Sequence, residues 1–159
     1  MADVKTAYGT GGVAITCTLA SLAISSYRES TAVDNTTNLW LDALVSMGVK
    51  LQAGTPANDK AVYVYCAGSI DGTTWGDAVT GSDAAITPNA PINLKLLGAI
   101  WAPTSAGTFE AGPWSVASVF GGVMPKKWSI VVWNRTGIAL DSTEGNHYKL
   151  YTGVYSTVL

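Results

Sequence analysis

Acid–base chemistry in this chain would have to rest on a single histidine, His147. Any Ser-His-Asp or Cys-His arrangement needs an imidazole to relay the proton, and the sequence offers no second one. His147 stands in Gly145-Asn146-His147-Tyr148, at the start of an apolar run. A lone His in such a place ordinarily serves as a hydrogen-bonding group. Zinc would have to draw its four ligands from Cys17, Cys66, His147 and a carboxylate, without the close Cys spacing of zinc sites. Gly9-Thr10-Gly11-Gly12 lacks the downstream Lys of a phosphate-cradling loop, and Gly121-Gly122 opens no helix pattern. Asp141 with Glu144, and Glu29 with Asp34, sit in Ser/Thr/Asn-rich stretches where Asx turns account for them better than a glycosidase pair does. The expectation is a protein that is not an enzyme and holds no cofactor or metal.

Aromatic side chains are the richer resource. The chain carries six Trp and seven Tyr. Trp40, Trp128 and Trp133 lie within apolar runs and read as core. Trp75, Trp101 and Trp114 adjoin loops and are the candidates for stacking a ligand such as a sugar ring. Trp75 closes the stretch Ser69-Ile70-Asp71-Gly72-Thr73-Thr74-Trp75, which resembles the Asp-box of sialidases and other β-propellers with one residue missing between Asp and Gly. An Asp-box is a folding element. The sialidase site itself also needs three arginines, and this sequence has only Arg28 and Arg135. The stretch is therefore read as a structured turn, with Asp71 accepting backbone N–H bonds and Gly72 supplying a positive φ.

The charge balance narrows the partners. Charged residues make up 13% of the chain and hydrophobic ones 48%, against roughly 25% charged in an average soluble domain. A net charge of −2 and one adjacent basic pair, Lys126-Lys127, give no track for a phosphate backbone, so nucleic acid is not an expected partner. Nor is a membrane, because no apolar run approaches the ~20 residues that span a bilayer. Residues 12–24 are mildly apolar, but they follow a start with no net positive charge and are broken by Thr16, Thr18 and Ser21, so they read as a strand and not as a leader. Cys17 and Cys66 sit in apolar, strand-like segments and read as two reduced, buried thiols of a protein folded in a reducing cytoplasm. So thin a charge suits a surface docked against neighbours.

The elements that must position these residues are strands. Val13, Ile15, Cys17 and Leu19 alternate with Ala14, Thr16, Thr18 and Ala20 at the strand period of two. Residues 39–51 (LWLDALVSMGVKL) have strand composition with a bend or bulge at Gly48. A short helix over 39–49 would also gather Trp40, Ala43, Leu44 and Met47. Residues 61–67 (AVYVYCA) put Val62, Val64 and Cys66 on one face, with Tyr63 and Tyr65 on the other. Residues 76–91 read as a long polar connection, and 92–102, 113–120, 128–134 and 147–155 as further short apolar runs. About seven or eight strands with frequent turn signals predict a single all-β domain, an antiparallel sandwich or jelly roll over 12–159. Residues 1–11 are read as an N-terminal arm.

Four blocks carry a family resemblance: residues 28–39 (RESTAVDNTTNL); 62–65 (VYVY), leading to Asp71-Gly72-Thr73; 112–128 (GPWSVASVFGGVMPKKW); and Gly145-Asn146-His147, running to 151–155 (YTGVY). Together they resemble small virion proteins of tailed bacteriophages, encoded beside the major capsid protein and including capsid decoration or cement proteins. The resemblance implies a jelly-roll-like β-sandwich on the capsid exterior, bound to the major capsid protein and assembled as a homotrimer. It carries over no catalytic residue. The Pro/Gly-framed loop supplies the expected contact: Phe120, Val123, Met124 and Pro125, with Trp128 behind them as core. The other function consistent with these residues is a phage head or tail carbohydrate-binding module using Trp75, Trp101 or Trp114.

Overall fold

Alternation of buried and exposed side chains produces two antiparallel sheets packed face to face. The computed structural model describes residues 3–90 and 92–158. Its strands are β1 (Val4–Tyr8), β2 (Val13–Ala14), β3 (Tyr27–Glu29), β4 (Val33–Asp34), β5 (Asp42–Lys50), β6 (Ala61–Ser69), β7 (Ala84–Ile86), β8 (Lys95–Trp101), β9 (Thr108–Ser115), β10 (Lys127–Arg135) and β11 (Tyr148–Val158). One helical turn, Val116–Val119, and one 3₁₀ turn, Glu144–Asn146, complete the described elements.

The first sheet runs β1-β11-β5-β9, with β2 also on β11; the second runs β7-β3-β10-β6-β8, with β4 also on β10. The pairings nest. The first strands, β1 and β2, lie on the last, β11; β3 and β4 lie on β10; β5 lies on β9; β6 lies on β8. A long hairpin whose halves pair in this way and then fold over into two sheets is a jelly roll. The single-domain, all-β reading of the sequence holds.

The core lies between the sheets and follows the period of two. Ala43, Val45, Met47 and Val49 of β5 face Val62, Val64 and Cys66 of β6, and Trp128, Ile130 and Val132 of β10. Each large aliphatic chain so buried contributes about 1.5–3 kcal/mol. Residues 39–49 form no helix: from Asp42 they are β5, with an irregularity between Val45 and Met47, just before the predicted bend at Gly48. Ile15, Cys17 and Leu19 are buried as their alternation predicts, although only Val13–Ala14 of that stretch pairs as a strand. In the segment read as an arm, Val4–Tyr8 pairs with β11 along the edge of the first sheet, and residues 1 and 2 lie outside the described residues.

The stretch between β6 and β8 is more than a connection. It contains β7 and folds over the outer face of the second sheet, where Ala67, Val79 and Val131 form a second apolar cluster with Tyr65, Trp75 and Leu94 against it. Two carboxylates tie it down. Glu29, fully buried, accepts from the Thr80 N–H at 2.8 Å and from the Thr80 hydroxyl. Asp83 accepts from Arg28 Nε at 2.6 Å and from the Thr18 hydroxyl at 2.6 Å.

Candidate functional site

An open cleft of about 890 Å³ is built around Trp40. It begins with an Asx turn: Asp34 Oδ1 accepts from the Thr36 N–H at 2.8 Å and reverses the chain after β4. Asn35, buried, then clamps the backbone of Trp40 from both sides. Its Oδ1 accepts from the Trp40 N–H at 2.8 Å and its Nδ2 donates to the Trp40 carbonyl at 3.0 Å. Leu39 is held between them at φ +53°, a left-handed conformation that a branched side chain adopts only under such constraint.

Two glycines receive the indole. Trp40 lies across Gly9 and Gly153, and a Cβ at Gly9 would come within 2.8 Å of the ring. Tyr155 meets it at 5.4 Å with a 42° tilt. With the ring pinned, Leu39 and Leu41 project on either side of it, 70% and 57% exposed. Val123, 72% exposed, and Met124 extend this surface along one flank, which forms its own cleft of about 330 Å³. Tyr8, Thr10, Asn38, Tyr155 and Ser156 line the opposite flank. Asn35 also donates its N–H to the Lys126 carbonyl at 2.8 Å, so the 35–41 and 120–126 loops are fastened together.

The predicted contact loop therefore divides. Val123 and Met124 face the cleft. Phe120 and Pro125 turn inward, because Gly68 leaves room for both: a Cβ there would lie 2.9 Å from each. Pro125 is buried, and Phe120 and Met124 are both half-buried against the core. Trp128 is wholly buried as predicted; its indole N–H has no polar partner, and its ring meets Tyr151 edge to face at 5.5 Å.

The three stacking candidates do not gather. Trp75 packs over Gly81 and the second apolar cluster; Trp114 lies on Gly98. Only Trp101, at the end of β8, is open, at 64% exposed. Trp133, read as core, stands on the outer face of the second sheet, stacked on Tyr27 at 4.9 Å and 7° with Arg135 5.0 Å from its centre. Those ring faces cover each other, which leaves mainly edges for a ligand.

His147, Asp141, Glu144 and Asp71 are taken up by hydrogen bonds within the fold. His147 is buried; its Nδ1 accepts from the Lys50 N–H at 3.3 Å, so Nε2 carries the proton and donates to the Asp141 carbonyl at 3.0 Å. Asp141 accepts from the Thr143 N–H and Asn146 Nδ2, the turn expected of that loop. Glu144 accepts the N–H groups of Leu19 and Ala20, each at 2.7 Å, and pairs with Lys149. Burial works against its ionisation, yet Lys149 and these N–H groups hold its carboxyl below the usual range. Asp71 accepts from Thr73, Thr74 and Ser69 as a turn residue should. Among the described residues no helix is long and apolar enough to cross a membrane.

The chain matches no family model and no curated protein. The surface around Trp40 must be read from its own geometry. Sequence reasoning passed over it by assigning Trp40 to the core on the strength of its apolar neighbours. The signal was present in the same residues: Leu39-Trp40-Leu41 breaks the alternation of a strand, and three consecutive large apolar chains cannot all point inward.

Proposed function

We propose that the chain is a structural virion protein that decorates and stabilises a tailed-phage capsid, binding the outer lattice of the major capsid protein as a homotrimer. The observation that carries this reading is the surface of Leu39, Leu41 and Val123, three large apolar chains exposed together on loops that Asn35 holds rigid. A contiguous apolar surface on a pre-formed frame marks a protein contact, since it gains burial on docking without an ordering cost. The four blocks that resemble phage virion proteins support the nature of the neighbour, and a jelly roll whose His147 and Glu144 are taken up by hydrogen bonds within the fold supports a structural role. Self-association around a closed three-fold axis would use one face of this surface on every copy.

Light scattering and addition to undecorated shells test the proposal. The wild-type chain is expected to run as a trimer, or to bind shells stoichiometrically and raise their heat resistance. Val123→Asp and Met124→Asp should each abolish that behaviour, and Val123→Asp should shift stability by no more than about 0.5 kcal/mol, as surface substitutions do. Normal assembly and shell binding by both variants would overturn the reading.

A further inference from the structure

We propose that the flank of the Trp40 cleft away from Val123 binds a neutral pyranose sugar, in a cleft that shares Leu39 and Leu41 with the proposed lattice contact. Tyr8, Trp40 and Tyr155 supply three aromatic rings to this cleft, and Thr10, Asn38 and Ser156 supply neutral donors and acceptors around them. No Lys, Arg, Asp, Glu or His lines it. That balance matches the two faces of a pyranose: an apolar C–H face that packs on rings, and hydroxyls that need neutral partners at the rim. It also disfavours anionic sugars, which need a cation to hold a carboxylate or sulfate. The polar side chains are available. Asn35 commits its carboxamide to Trp40, whereas the Asn38 carboxamide and the hydroxyls of Thr10 and Ser156 make no hydrogen bond within the protein among the described residues. The backbone beneath the rings is also fixed: Gly9 donates to the Gly153 carbonyl at 2.8 Å and Leu41 to the Val154 carbonyl at 2.8 Å, tying the cleft walls to β11.

Saturation-transfer NMR on the full chain with neutral glucan, mannan, galactan and N-acetylglucosamine oligomers tests this. One series is expected to receive transfer. Tyr8→Ala and Asn38→Ala should each weaken its binding about tenfold, equivalent to ~1.4 kcal/mol. Both positions are exposed, so the variants should fold, with circular dichroism melts as the control. Trp101→Ala should change nothing, and Val123→Asp, which strikes the lattice contact, should leave sugar binding intact. Silence across every series would overturn the proposal. So would binding that survives both cleft substitutions, or that is lost in Trp101→Ala or Val123→Asp.

Discussion

Asn35 carries more of the site than its size implies. One carboxamide satisfies both backbone groups of Trp40, so Asn35→Ala leaves a donor and an acceptor unpaired beside a half-buried indole. The expected cost is about 1–3 kcal/mol of stability, read as a lower urea midpoint, with a red shift of tryptophan emission as Trp40 loosens. The cysteines make the opposite case, of groups with no chemistry to offer. Burial first, and then the charge of Asp83, push the Cys17 thiol up to about 12. Burial alone pushes up the Cys66 thiol. Both are free and buried, so the native protein should resist a thiol reagent such as DTNB and release two equivalents only on unfolding. Rapid reaction of either thiol in the native state would contradict that placement.

At the scale of elements, legibility depended on how local the deciding contact was. Strand β6 could be read from its sequence because its two faces differ in kind, Val62, Val64 and Cys66 against Tyr63 and Tyr65. The inward turn of Pro125 could not, since it depends on the absence of a side chain at Gly68, 57 positions earlier (125 − 68). The 76–91 stretch was legible as polar but not as a cover. What makes it one is a tie between Glu29 and Thr80, 51 positions apart. Thr80→Val removes one of the two donors to that buried carboxylate and should cost about 1–3 kcal/mol. Hydrogen exchange should then quicken between β6 and β8 while the amides of β6 and β10 stay protected. Uniform quickening through the whole sandwich would show that the cover is not a separable unit.

The whole molecule should be acid-labile. Hydrogen bonds from Thr74 and Thr73 hold Asp71 well below the usual carboxylate range. Burial opposes ionisation of Asp83 and Glu144, but Arg28 and Thr18 at the first, and Lys149 at the second, hold both below it. A carboxyl whose folded pKa is depressed binds fewer protons folded than unfolded around pH 4. Its stabilisation is complete above the unfolded value of about 4 and is lost as pH falls through the lower folded value. The urea midpoint should therefore decline steadily from about pH 5 toward pH 2, and a flat profile would argue against these ties. The nested pairing of the jelly roll also governs how the chain is made. β11 lies inside the first sheet, with β1 and β2 on one side and β5 on the other. As a ribosome delivers the chain, that sheet has no middle until residues 148–158 emerge, and its earliest strands wait through the synthesis of nearly everything else. Closure of this sheet is thus a late and cooperative event set by β11, and until it arrives that edge of β5 has no strand partner.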